Sequence, residues 1–293
     1  MKKNIIFIGI LSLVVTFGGY QYIKLSRELS YTKQSFANQS EELQNAITTL
    51  QSKVASTTSE NQNLNDLLII LKAHNGDYQN ELNAVQQKVA ILQKKDEIDP
   101  ELLQKYSKVY FLNENYIPSQ LSLIDSSFLQ RSTKPEQIHS QIKPFLENMI
   151  RDARSAGVDI SVLSAYRSFG TQAQLKSQYT VTYGAGTANK FSADQGYSEH
   201  QLGSALDFTT KNGGEILQGF DKTPAYSWLL ANAYKYGFIL SYPANNSYYV
   251  FEPWHWRFVG ILLASYLHDN QKKFYDLSQR DIDTYRVHFF DSN

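Results

Sequence analysis

Residues 197–210 read YSEHQLGSALDFTT. His200 and Asp207 stand seven positions apart in this stretch, with Gly203 and small or apolar residues between them. Ser198 followed by Gln201 is a capping-box pattern that opens a helix, and residues 205–209 read as a strand. Two readings stay open on this stretch alone: a pair of metal ligands, or a helix start running into a strand. The chain has six histidines, so chance pairings of His with Asp are numerous.

A second stretch, FEPWHWRFVG at residues 251–260, sharpens the choice. Zinc in hydrolases is commonly held by three nitrogen or oxygen ligands with a fourth position left to water, and His200, Asp207 and His255 supply such a set. Glu252 lies three positions before His255, near enough to act as a general base that takes a proton from water and returns it to a leaving amine. Pro253 disfavours a helix interior here. On a straight strand, positions three apart face opposite ways, so a bend or bulge near Pro253 is expected if Glu252 and His255 are to converge.

SAYRSFGTQ, residues 164–172, follows a strand pattern at 158–164 and runs into a helix start. Arg167 offers a planar, permanently charged fork for a substrate carboxylate or a developing oxyanion, and Gln172 can hydrogen-bond substrate amides. Alone, Arg167 reads equally as a solvated loop arginine paired with a surface acid. His74, His139, His268 and His288 read as structural.

Composition limits the alternatives. Lys and Arg number 28, as do Asp and Glu, so the net charge is zero and the chain lacks the electrostatic footprint of a nucleic-acid binder. There is no cysteine, which removes disulfides, thiolate metal sites, cysteine nucleophiles and a lipidated N-terminal cysteine. A 293-residue chain with 42% hydrophobic content has room for one ordinary domain and something more.

The additional material is N-terminal. Residues 4–23 form an uncharged run behind Lys2 and Lys3; as a helix it would reach roughly 30 Å, one hydrocarbon thickness. We read residues 1–24 as an uncleaved membrane anchor with a cytoplasmic N-terminus and the bulk of the chain on the cell-wall side. The competing reading, a cleaved signal peptide that leaves a secreted protein, has Thr16 and Gly18 as a small-x-small site, but the run is long for that purpose.

From Leu29 a seven-residue ladder runs through Phe36, Leu43, Leu50, Thr57, Leu64, Leu71, Tyr78, Val85 and Leu92. A second, more broken seam follows four residues behind it and includes Ile47, Val54, Leu68, Leu82 and Val89. This a/d pattern predicts a coiled-coil stalk over 25–98, its ladder from Leu29 to Leu92 about 95 Å long if unbroken, that makes a homodimer or small homo-oligomer. Asn61 and Asn75 at a positions favour one register at a cost in stability. The alternative is a helical hairpin turning at HNGD, residues 74–77; Gly76 costs about 1 kcal/mol in a helix, yet the ladder keeps its phase across it. KKDEIDP, residues 94–100, reads as a linker.

Residues 99–293 form the globular domain. Helices are predicted at 144–156, 171–179, 224–236 and 259–268, and strands at 158–164, 205–209, 238–242 and 248–251. Without regular βαβ alternation, the fold class is α+β, a mainly antiparallel sheet flanked by helices.

YRSFGTQ, SEHQLGSALDF and EPWHWRFVG in that order resemble the VanY-type D-alanyl-D-alanine carboxypeptidase family of zinc peptidases, which shares its metal-site fold with D-Ala-D-Ala dipeptidases and the hedgehog signalling domain. The similarity covers roughly residues 100–280. It implies one zinc ion on His200, Asp207 and His255, catalysis by Glu252, transition-state stabilisation by Arg167, and Gln172, Ser198 and Trp254 around the substrate cleft. Gln195 stands where relatives often have proline. The implied reaction releases a terminal D-alanine from peptidoglycan stem peptides. Alternatives with the same ligand set are an L,D-carboxypeptidase or a peptidoglycan endopeptidase; one of another class is a non-catalytic wall-binding scaffold, against which the presence of Glu252 argues. Gly203, Ser204 and Ala205 are expected to let backbone pass close to the metal.

Overall fold

The computed structural model describes residues 2–106, 109–184, 192–213 and 217–292. The chain forms two compact units, Met1–Gln86 and Gln87–Asn293. The first is the greater part of helix α1 (Lys2–Glu97), whose side chains from residue 5 to residue 86 are all exposed. No proline precedes Pro100, and Gly76 sits in the helix without a break, as the unbroken phase of the ladder predicts. Among the described residues α1 is the one helix long and apolar enough to cross a membrane.

The second unit is built on a four-stranded antiparallel sheet in the order β3 (Ser161–Ser164), β4 (Ala205–Thr209), β6 (His255–Phe258), β5 (Phe238–Leu240). A small hairpin sheet, β1 (Leu121–Leu123) with β2 (Gln137–His139), stands apart from it. Strand alternation divides the work of the main sheet. Leu206 and Phe208 of β4 and Trp256 and Phe258 of β6 bury themselves in the hydrophobic core. Asp207, His255 and Arg257 therefore face the other side.

Helix α2 (Lys143–Ser155) closes that core with Leu146, Met149, Ile150 and Ala153. It begins with Pro144 in its first turn and ends before Gly157, which has φ +77°. Helix α3 (Phe169–Tyr183) is capped by Ser168, and α4 (Pro224–Asn232) by Thr223. Helix α5 (Ile261–Asp269) buries Ile261, Leu263, Ala264 and Leu267, and a short α6 (Gln279–Asp283) follows. Each fully buried large apolar side chain contributes about 1.5–3 kcal/mol.

Two local expectations need correction. Residues 248–251 are not a strand: Asn246 caps the backbone of Tyr248 and Tyr249 in a turn, and the pairing strand is β6, four residues farther on. Residues 94–100 are not a free linker, since Ile98 lies in the core and Lys94 pairs with Asp291.

Candidate metal centre

The antiparallel register brings the candidate ligands together. Asp207 of β4 pairs directly with His255 of β6, and Ser164 of β3 pairs with Asp207 across a register shift after Val162. Directly opposed residues share a face with side chains about 5 Å apart. His200 arrives from the short 3₁₀ turn Glu199–Leu202 that precedes β4. Gly203 ends this turn at φ +68°. A Cβ there would lie 3.0 Å from Leu121 Cδ2 and 3.2 Å from Pro118 Cγ. The glycine thus admits the 118–121 loop, not the metal-facing backbone that the sequence suggested.

One donor atom from each of His200, Asp207 and His255 lies within 4.8 Å of the others, and all three residues are buried. His200 Nε2 is 3.3 Å from Asp207 Oδ2, and His255 Nδ1 is 3.1 Å from Asp207 Oδ1. Ligands about 2.0–2.2 Å from one tetrahedral ion are spaced by about that much. The tautomers agree. His200 Nδ1 is 2.7 Å from the Ala165 carbonyl; a carbonyl only accepts, so Nδ1 carries the proton and the Nε2 lone pair faces Asp207. His255 Nε2 is 2.9 Å from Glu199 Oε2, which leaves Nδ1 to face the same carboxylate. The His200 Nε2 lone pair, the Asp207 carboxylate and His255 Nδ1, once it gives up the proton it shares with Asp207, make the donor set that zinc accepts.

The charges of these side chains follow the same geometry. Burial would raise the Asp207 carboxyl, but His200 and His255 outweigh it and hold it well below the usual carboxylate range. Burial lowers the His200 imidazole, which keeps it neutral and able to ligate. For His255 burial acts in the same sense but is overcome by the bonds to Asp207 and Glu199, which push it up to about 10. Glu252 is pushed up to about 8, chiefly by burial and then by the nearby Asp207 and Glu199, with His255 acting against them.

The convergence of Glu252 with His255 is achieved by a turn. The His255 N–H donates to the Glu252 carbonyl at 3.1 Å, closing a bend through Pro253 and Trp254; proline suits the second position of such a turn. The bend expected near Pro253 is present. All eight residues singled out from the sequence, Arg167, Gln172, Ser198, His200, Asp207, Glu252, Trp254 and His255, line one open cleft of about 710 Å³.

Within that cleft their duties differ from the expectation in two places. Gln172 is buried and spends both ends of its amide internally: Oε1 accepts from Arg167 at 2.7 Å, and Nε2 donates to the Ala193 carbonyl at 2.8 Å. It braces Arg167 and does not present a free amide to a substrate. Ser198 starts the 3₁₀ turn without a side-chain cap, so the capping-box bond is absent. Gln201 instead donates to the Asn113 and Tyr116 carbonyls. Arg167 is held also by Ser164 Oγ at 3.1 Å and lies 3.8 Å from Asp207.

The sequence reading passed over Tyr242, Tyr249, Glu199, Arg257 and Tyr275. Tyr242 stacks on the His255 ring at 4.9 Å, and with Tyr249 it walls the cleft. Glu199 is wholly buried beside Arg257. The available signals were the position of Glu199 next to His200 and of Arg257 one strand repeat beyond His255. His268 and His288 pair with Asp269 and Asp291 on the surface, away from the centre.

Residues 135–261 match the family model of VanY, D-alanyl-D-alanine carboxypeptidase. The carboxypeptidase-like protein YodJ of Bacillus subtilis is 34% identical over 174 residues, 58% of this chain and 64% of that protein, so the chain spans just under two thirds of its length. A bifunctional D-Ala-D-Ala dipeptidase and D-Ala-D-Ala carboxypeptidase of Enterococcus gallinarum is 30% identical over 165 residues, 54% of this chain and 84% of its own. Among solved structures, the LdcB LD-carboxypeptidase superposes with a TM-score of 0.54 at 32% identity, covering 60% of this chain and 85% of that one. With the motifs, the sheet and the converging donor set in place, the chain belongs to the VanY-type D-alanyl-D-alanine carboxypeptidase family.

Proposed function

We propose that this protein is a zinc-dependent carboxypeptidase that hydrolyses the terminal D-alanine from peptidoglycan stem peptides. The observation that carries the reading is the convergence of His200 Nε2 and His255 Nδ1 on Asp207, in one cleft with Glu252 and Arg167. His200, Asp207 and His255 would hold one zinc ion, which would supply Lewis acidity toward the scissile carbonyl and make water a better nucleophile. Glu252 takes the proton of the attacking water and delivers it to the leaving amine; a neighbouring dication favours its ionised form. Arg167, fixed by Gln172 and Ser164, receives the negative charge that develops on the carbonyl oxygen, or the substrate's terminal carboxylate. Trp254 and Ser198 border the bound peptide.

The N-terminal readings complete the proposal. Residues 1–24 anchor the protein in the membrane, with residues 99–293 on the cell-wall side. Residues 25–98 pair as a coiled coil into a homodimer or small homo-oligomer. Support comes from the exposure of the whole ladder in α1, where Leu43, Leu50, Leu64 and Leu71 are 54–64% exposed, a surface that a second helix would cover.

A second reading, removal of D-alanine from an L,D bond in a tetrapeptide stem, is favoured by the likeness to the LdcB LD-carboxypeptidase. Incubating the purified protein with defined pentapeptide and tetrapeptide stems and weighing the products separates the two. Loss of one alanine from the pentapeptide supports the D,D reading, loss from the tetrapeptide the L,D reading, and cleavage of neither removes the carboxypeptidase assignment.

A further inference from the structure

Behind the candidate ligand His255 lies a buried polar chain with no part in the proposed chemistry. Glu199 is fully buried, and each of its oxygens has a partner: Oε2 accepts from His255 Nε2 at 2.9 Å, while Oε1 accepts from Arg257 Nη1 at 2.8 Å and from the Tyr275 hydroxyl at 2.5 Å. Arg257 is 0% exposed, with its guanidinium 4.8 Å above the Phe274 ring. Its second nitrogen, Nη2, donates to the Leu102 and Gln104 carbonyls, each at 2.8 Å.

Breaking a buried ion pair of this kind is strongly destabilising, whereas apolar replacements of similar volume are often tolerated or better. An argument from stability alone therefore does not account for the pair. The arrangement does have a chemical consequence. A carboxylate that accepts from the outer nitrogen of a ligating histidine fixes its tautomer, its ring angle and its basicity toward a metal. Arg257 and Tyr275 both donate to the other oxygen of Glu199, which leaves Oε2 to accept from His255.

We infer that Glu199 and Arg257 are positioning residues for the metal centre, and that the Leu102–Gln104 backbone, just beyond helix α1, is the fixed anchor from which Arg257 and Glu199 hold His255 in its ligating tautomer. The stretch immediately after the residues 94–100 that read as a linker is then part of the site. Ile98, Leu102, Leu103 and Tyr106 are all buried, as such an anchor requires. Lysine cannot replace Arg257, because a single ammonium lacks the fork that spans Glu199 and two carbonyls.

The inference rests on the metal reading above, and its test keeps the two apart. Full-length wild-type protein and the variants Glu199→Gln, Arg257→Lys and Tyr275→Phe are titrated with zinc against a competing chelator, and their cobalt(II) forms are compared by visible absorption. Glu199→Gln and Arg257→Lys are expected to weaken zinc binding about 10- to 100-fold and to change the cobalt bands. Tyr275→Phe, which keeps the ring and loses one donor to Glu199, is expected to weaken binding by a smaller factor in the same direction. It decides the matter if the charged variants do not fold. Folded variants that bind zinc within twofold of wild type with unchanged cobalt bands overturn the inference and leave the metal reading intact. A wild-type chain that binds no zinc overturns both.

Discussion

Apolar side chains have opposite fates in the two compact units. Up to Gln86, Leu43, Leu50, Leu64 and Leu71 lie more than half exposed along a helix that buries none of them, while beyond it Leu146, Leu206, Phe208 and Phe258 are completely buried. The difference separates what the chain does alone from what it does in company. A unit with its own core can hold three ligands in register within a few ångströms of each other. A helix with an open heptad seam is complete only against lipid or a second helix. On the proposed reading, catalytic geometry should therefore be intramolecular, and any self-association a separate, concentration-dependent property.

Four experiments bear on that division. The largest effect is expected from Glu252→Gln, which should lower kcat by about 10²- to 10⁴-fold while zinc content stays at the wild-type level; a variant hydrolysing at the wild-type rate would show the base to be misassigned. Arg167→Lys should follow with about a 10²-fold loss, because lysine cannot hold Gln172 and Ser164 and still present charge to the cleft. An unchanged kcat with only KM raised would place Arg167 in ground-state binding instead.

Acid should weaken the site itself. The bonds to Asp207 and Glu199 push His255 up to about 10, so at neutral pH zinc is expected to displace a proton from its Nδ1. Affinity is then expected to fall about tenfold per pH unit from pH 8 to pH 6. Calorimetry in buffers of different ionisation enthalpy measures the proton released, and none released at pH 7 would contradict the assignment. The smallest effect on catalysis belongs to the seam. Deleting residues 29–92 should reduce the light-scattering mass to that of a monomer and leave kcat/KM unchanged; an intact chain that is already monomeric would refute the coiled coil.

How far the sequence could be read depended on whether a role is local or set by register. His200, Asp207, Glu252 and His255 sit in two short motifs that are weak singly but, laid side by side and with the family resemblance, point to metal chemistry, so they can be proposed without a fold. Helices at 144–156 and 224–236 were legible because Pro144 and Pro224 mark their starts and Gly157 and Gly237 their ends. Strand β6 is hidden in the sequence because its first residue, His255, reads as a metal ligand behind the Pro253 break, and the run at 248–251, with its high β propensity, takes its place. The partnership of Glu199 with Arg257 was invisible for a different reason. It joins residues 58 apart through a strand register and a 3₁₀ turn, and neither side chain carries a pattern that announces burial. Ile98 was hidden by the four charges before it, and the duty of Gln172 by the fact that its Ala193 partner lies on another segment.

The central claim is that one divalent ion sits between His200 Nε2, Asp207 and His255 Nδ1. Anomalous diffraction at the zinc edge tests it most directly. The account predicts a single peak per chain, about 2.0–2.2 Å from all three donors, that disappears in Asp207→Ala. A zinc-loaded crystal with no peak at that position, or with its peak on other side chains, would contradict it.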